Sequence, residues 1–223
     1  MINGINSREM ILEILLEIEE GEHSHVAIRN ALSKYQFLPK QDRAFITRVC
    51  EGTLEYRIQI DYIINSFSKV TVDKMKPAIR EILRSAVYQL KYMDSVPDSA
   101  VCNEAVKLAQ RKGFYNLKPF VNGVLRTIAR EMDQVRFPQK EDDLLKYLSV
   151  KYSMPEVLVT RWLEAYGEET TEKILADFLM EHPLTIRCRT YLNSKEEVIK
   201  SLESQGVHVA PAPYLPYAYS ISE

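Results

Sequence analysis

Glycine is scarce in this chain: seven residues in 223, none of them clustered. No G-x-G-x-x-G, P-loop, nucleophile elbow or H-E-x-x-H occurs, which excludes a phosphate-cradling glycine loop and the corresponding hydrolase and zinc-protease sites. Cysteine is equally thin. Cys50, Cys102 and Cys188 lie far apart without CxxC or Cys/His ligand spacing, so neither a zinc site nor a disulfide framework is expected. His23 and His25 stand at i,i+2, and such residues do not share a helical face. The acidic pairs Asp142-Asp143 and Glu168-Glu169 are adjacent and splay apart on a helix, so they make poor acid–base dyads. No apolar run approaches the about 20 residues that a membrane span needs. The N-terminal stretch carries acids inside its apolar run, unlike a secretory signal. These absences predict a cytoplasmic chain with no catalytic site, no metal, no bound cofactor and no membrane contact.

What is present is helical periodicity. Hydrophobic residues make up 46% of the chain and charged residues 27%, enough for a sizeable core. Met10, Ile11, Ile14, Leu15 and Ile18 predict a helix over 7–20, stopped by Gly21, and a second follows over 26–35. The long run over 41–67 reads as two helical pieces hinged near Gly52 or Tyr56. Pro77 opens the clearest helix, with Ile79, Ile82, Leu83, Ala86, Val87 and Leu90 on one stripe. Two more helices span 97–130, joined by a short basic elbow. No strand is expected before residue 135. A charged helix over 142–150 and a helix pair over 155–179, broken at Gly167, come next. The period then changes: 184–189 alternates as a strand, 194–204 is helical, and strands are expected at 206–209 and 217–221. The predicted class is mainly α: an all-helical domain (1–134), a helical linker (135–182), and the start of a small α+β domain (183–223) that looks truncated.

Charge is close to neutral at −2 but unevenly spread. The first helix concentrates Glu9, Glu13, Glu17, Glu19, Glu20 and Glu22 against Arg8. Residues 29–130 hold 18 Lys/Arg against nine Asp/Glu, a footprint compatible with a polyanion and equally with a solvated helical surface. Around the elbow, Lys107, Arg111, Lys112, Tyr115, Asn116, Lys118, Arg126 and Arg130 are the candidate RNA contacts. Their cations suit phosphates, and Tyr115 suits an unpaired base. Arg111-Lys112 also complements a helix C-terminus without any ligand. Asn103, Glu104 and Asn122 sit among apolar helix positions and are expected to be hydrogen-bonded polar pins of the core.

Gln41-Asp42-Arg43-Ala44-Phe45, Gly52-Thr53-Leu54, Ile60-Asp61, Tyr88-Gln89-Leu90, Val96-Pro97, Asn103-Glu104-Ala105-Val106 and Val121-Asn122-Gly123-Val124-Leu125-Arg126 resemble, in order, the NusB-like domain over roughly residues 5–133. The resemblance implies two three-helix groups. Beyond it, Tyr152-Ser153-Met154-Pro155, Arg161-Trp162-Leu163, Tyr166-Gly167 and His182-Pro183-Leu184-Thr185-Ile186-Arg187 are similar to the segment preceding the catalytic domain of bacterial 16S ribosomal RNA cytosine-C5 methyltransferases (RsmB, Sun or Fmu). Two departures stand out. Cys188-Arg189-Thr190 replaces a common Asn, and the acidic first helix lacks an arginine-rich start. In that family a Cys thiolate attacks cytosine C6 and S-adenosylmethionine supplies the methyl group, on Pro-Cys and Thr-Cys motifs that do not occur here. The resemblance therefore implies an rRNA-recognition part, inactive alone, whose partners are 16S rRNA and a methyltransferase domain, with no DNA expected. The alternative it leaves is an antitermination factor of the NusB type or a stand-alone interaction module.

Overall fold

In a computed structural model describing residues 6–180, 182–189 and 191–222, the chain opens with helix α1 (Ser7–Glu19). Asn6 caps it, its Oδ1 accepting the backbone N–H of Arg8 at 2.9 Å and of Glu9 at 3.3 Å. Gly21 ends it at φ 112°, a left-handed conformation that favours glycine. Helix α2 (Ser24–Lys34) follows, then α3 (Lys40–Glu55) and α4 (Arg57–Phe67), which meet at Tyr56. Helix α5 (Pro77–Tyr92) carries proline in its first turn, where the missing N–H has no intrahelical role. Helices α6 (Asp98–Arg111) and α7 (Lys118–Glu131) complete the all-helical part.

Helices α1, α2 and α3 pack on one another, as do α5, α6 and α7, with α4 closing against α5 and α7. Helix α5 touches α1, α3, α4, α6 and α7. Every residue from 81 to 89 is consequently buried. A helix enclosed on all sides must satisfy its polar groups within the protein, and from Glu81 to Gln89 α5 does so, whereas Arg80 Nε is buried without a hydrogen-bond partner among the described residues. Arg84 donates to Asp61 Oδ1 and Oδ2 at 2.7 and 2.6 Å and to Glu81 Oε1 at 2.5 Å. Ser85 Oγ donates to the Glu81 carbonyl, Gln89 Nε2 to the Ser85 carbonyl, and Arg8 Nε to Gln89 Oε1. Burial holds the Glu81 carboxyl above the usual carboxylate range, only partly offset by Arg84. Burial alone would lower the Arg84 guanidinium, but Asp61 and Glu81 hold it above its ordinary value.

Gly52 meets the same central helix. Its Cα faces the Tyr88 ring so closely that a Cβ would collide with it. Tyr88 in turn stacks with Tyr92 at 5.3 Å between centroids, and Tyr92 with Tyr56 at 4.2 Å.

The segment after residue 134 lies against α4. Tyr62 donates to the Arg136 carbonyl at 2.7 Å and stacks on Phe137 at 5.7 Å. Helix α8 (Leu144–Tyr152), capped by Asp143, is held by Gln59 Nε2 on the Val150 and Lys151 carbonyls, both at 3.2 Å. Helix α9 (Glu156–Phe178) is broken at Gly167, which takes φ 74°. Leu148, Val159 and Leu175 form a small second core.

The contacts divide the chain after Leu175. The second unit contains β1 (Leu184–Arg187), α10 (Lys195–Glu203), β2 (His208–Pro211) and β3 (Ala218–Ser222). Ser194 and Glu197 close α10 with a reciprocal capping box. β3 is central and antiparallel to both neighbours, with Ile186 opposite Tyr219 and Val209 opposite Ile221. The all-helical part and the small sheet both follow the sequence expectation. Among the described residues, no helix is long and apolar enough to cross a membrane.

Candidate nucleic-acid interface

The elbow between α6 and α7 is built by a helix stop. Gly113 takes φ 85°, its N–H reaches the Gln110 carbonyl, and the Phe114 N–H reaches back to Ala109 at 2.9 Å, the paired bonds of a Schellman end. A single 3₁₀ turn (Tyr115–Leu117) then leads into α7. Phe114 packs on the core, while Tyr115 is 61% exposed and Asn116 is exposed beside it. Lys76, far away in sequence, places its ammonium 5.6 Å from the Phe114 ring centre and adds a cation to the elbow. No local sequence signal could have found Lys76, because tertiary packing alone brings it there.

Helical spacing sorts the other candidates. Asn103, Lys107 and Arg111 recur every four residues on α6, and all three are exposed. Lys118, Asn122, Arg126 and Arg130 recur likewise on α7, a stripe about 18 Å long at helical rise. The two helices pack on each other, and Arg126 is near enough to the Cys102 thiol to act on it electrostatically.

These cations are not equally available. Lys112 reaches Glu9 and Glu13 on α1, both at 3.0 Å. Burial would lower its ammonium, but the two carboxylates hold it above its ordinary value. The acidic first helix thus neutralises one arm of the elbow. Lys107 pairs with Glu104 at 2.7 Å, a bond that holds the Glu104 carboxyl below the usual range. Arg130 pairs with Glu131 at 2.6 Å, but its side chain is 71% exposed, and such a pair yields readily to phosphate. Arg126 donates to Asn122 Oδ1 at 2.9 Å. Among the described residues, Arg111 and Lys118 make no ion pair and are the freest cations of the elbow.

The expectation of core pins fails. Asn103 is exposed, and Glu104 and Asn122 are half-buried, bonded to Lys107 and Arg126 rather than to each other. Their apolar neighbours lie on the other side of each helix, where Val101, Ala105, Val121 and Leu125 are buried. The polar groups that do pin the core are Asp61, Glu81, Arg84, Ser85 and Gln89. Asn122→Leu should therefore change thermal stability by no more than about 0.5 kcal/mol, as for an ordinary surface position. Differential scanning fluorimetry reads this directly, and a loss of several degrees would restore the core reading.

Cys50, Cys102 and Cys188 are free thiols and buried. Burial pushes the Cys50 and Cys102 thiols up, so neither supplies a thiolate at neutral pH. The described residues contain no His/Cys/Asp/Glu group able to hold a metal.

Comparison with known proteins agrees with this architecture. Residues 5–130 match the NusB family, and residues 154–223 match the RsmF/B-like methyltransferase ferredoxin-like domain. The probable ribosomal RNA small subunit methyltransferase B of Bacillus subtilis is 32% identical over 202 residues, covering 91% of this chain and 44% of that protein. The chain thus spans under half the length of this curated relative. Among solved structures, PH0851 superposes with a TM-score of 0.69 at 23% identity over 99% of this chain and 49% of its own. NusB from a complex with NusE and double-stranded RNA superposes with a TM-score of 0.51 at 21% identity over 56% of this chain and 93% of its own. Both likenesses concern the fold. With a helical scaffold, an exposed basic elbow and a family match over more than half its length, the chain belongs to the NusB family, continued in the same polypeptide by a segment matching the ferredoxin-like domain of RsmF/B-like methyltransferases.

Proposed function

We propose that this chain is the RNA-recognition part of a ribosomal RNA small-subunit methyltransferase, binding 16S rRNA through the elbow and stripes of α6 and α7. The observation that carries the reading is the coexistence of a NusB-family scaffold and the ferredoxin-like segment in one chain, together with uncommitted cations at Arg111 and Lys118. The catalytic steps, cytosine-C5 methylation with S-adenosylmethionine, belong in this reading to a separate domain of a longer protein. The cysteines present do not fit the nucleophile's role, being buried thiols, and no chemical step is assigned to them. Here Arg111, Lys118, Arg126 and Arg130 neutralise phosphates, while Tyr115 offers a ring to an unpaired base. The cytoplasm, where ribosomal RNA is modified, is the compartment this reading implies.

The test is a salt titration of RNA affinity. Reversing Arg111 and Lys118 together to Glu should weaken binding to a 16S rRNA fragment across sequences and lower the log–log salt slope by about 2, one unit per lost phosphate contact. Lys112→Gln should move affinity far less, because Glu9 and Glu13 already occupy its ammonium. Affinity and slope left unchanged by the double reversal would refute the elbow as the RNA surface. Tight binding of S-adenosylmethionine by this chain in calorimetry would refute the division of labour.

A further inference from the structure

A second basic and aromatic site lies away from the elbow. Between α4, the C-terminal end of α5 and α8 is a 260 Å³ cavity lined by Gln59, Lys91, Phe137, Pro138, Gln139, Tyr147 and Lys151. A 610 Å³ hollow that shares Phe137, Pro138 and Gln139 with it is lined further by Tyr62, Arg136 and Lys146, along with Asp142 and Asp143. Among the described residues, no carboxylate lines the smaller cavity.

Its walls are fixed. Gln59 spends its amide on the carbonyls of Val150 and Lys151 and accepts from the Tyr92 hydroxyl. Gln139 Nε2 donates to the Phe137 carbonyl at 2.8 Å, and Phe137 is clamped on Tyr62. Lys151 is held by the Tyr147 hydroxyl at 2.6 Å and Glu172 at 2.9 Å. Among the described residues lining the cavity, Lys91 is different. Its ammonium lies 5.5 Å from the ring centres of both Tyr92 and Phe137 and, among the described residues, makes no ion pair with a carboxylate. Burial lowers its pKa, with Asp133 acting in the opposite direction. A half-buried cation in a cavity whose other cation, Lys151, already holds Glu172 is short of a counter-ion.

We propose that this cleft is a phosphate-binding subsite for single-stranded RNA, in which Lys91 contacts a backbone phosphate and Tyr147 and Phe137 flank the adjoining base. Cations interleaved with aromatic rings are the chemistry that holds single strands without base-specific hydrogen bonds. One wall, residues 135–151, falls between the two family-matched segments, so the cleft is a feature of the junction rather than of either domain. The proposal rests on the RNA-recognition reading above, and its test separates the two.

A labelled ten-nucleotide single-stranded RNA is titrated against the full chain by fluorescence anisotropy, with inorganic phosphate as a second probe. Lys91→Gln should weaken RNA binding about tenfold and lower the salt slope by about 1, while Lys91→Arg keeps both near wild type. Gln139→Glu, at an exposed position, should weaken binding in the same direction by placing a carboxylate at the rim. Wild-type binding that neither Lys91→Gln nor Gln139→Glu changes would overturn the cleft and leave the elbow standing. Loss of phosphate binding with RNA affinity intact would assign the cleft to a small phosphate ligand and overturn the RNA assignment. Failure of the wild-type chain to bind RNA would remove both readings.

Discussion

Replacing Arg84 by Met should destabilise the protein by about 3–5 kcal/mol, because it strands a buried carboxylate. Glu81 is 3% exposed and lies in the second turn of α5, a helix packed against five others, so little water can replace the guanidinium. The deficit should depend on pH, with a sign that follows from Glu81. Its carboxyl in the folded protein already titrates above its unfolded value. A carboxyl raised in this way gives stability that is fully present below the unfolded pKa and is lost as pH rises through the folded one. Without Arg84 the folded pKa rises further, so the loss extends to higher pH. Urea denaturation should therefore find Arg84→Met closer to wild type at pH 5 than at pH 7. An equal deficit at both values would mean that Glu81 is not the stranded group. Adding Glu81→Gln and Asp61→Asn should recover much of the loss, since a buried ion cluster contributes little net stability over a neutral one.

Gly52→Ala should cost about 1–3 kcal/mol, the usual range for overpacking a filled core. The added Cβ runs into the Tyr88 ring, which is 5% exposed and stacked with Tyr56 and Tyr92, so moving the ring aside disturbs that stack. The mechanism predicts coupling. In a Tyr88→Leu background, which loses stability on its own account, the same Gly52→Ala change should be nearly neutral, giving a double-mutant interaction well above the additive expectation. Additive costs would place the strain in the α3 backbone instead. Because α3 at this point is regular helix, alanine's better helix propensity acts in the opposite direction and trims the net loss by up to about 1 kcal/mol.

Both sites show where sequence reading stops. Arg84 and Glu81, three apart on a helix, look from sequence like a surface ion pair, but α5 is packed against five other helices and Asp61 of α4 completes the cluster. Conversely, Asn103 and Asn122 look costly among apolar neighbours, yet a helix turns 100° per residue and carries each onto the solvent side. The eight candidate cations and polar residues of the elbow are legible from residue type and position along the two helices, but their availability is not. Lys112 is quenched by Glu9 and Glu13, which lie roughly a hundred positions earlier in the chain.

The sequence by itself determined the elements and their order, because apolar period, proline at helix starts and glycine at helix ends are local signals. It also determined the family, because ordered motifs do not depend on side-chain contacts. Tertiary structure alone decided which polar residues are buried, which cations keep a free charge, and that Lys91 faces a cavity. Those properties are set by long-range neighbours, and burial and Coulomb interactions act through space rather than along the chain.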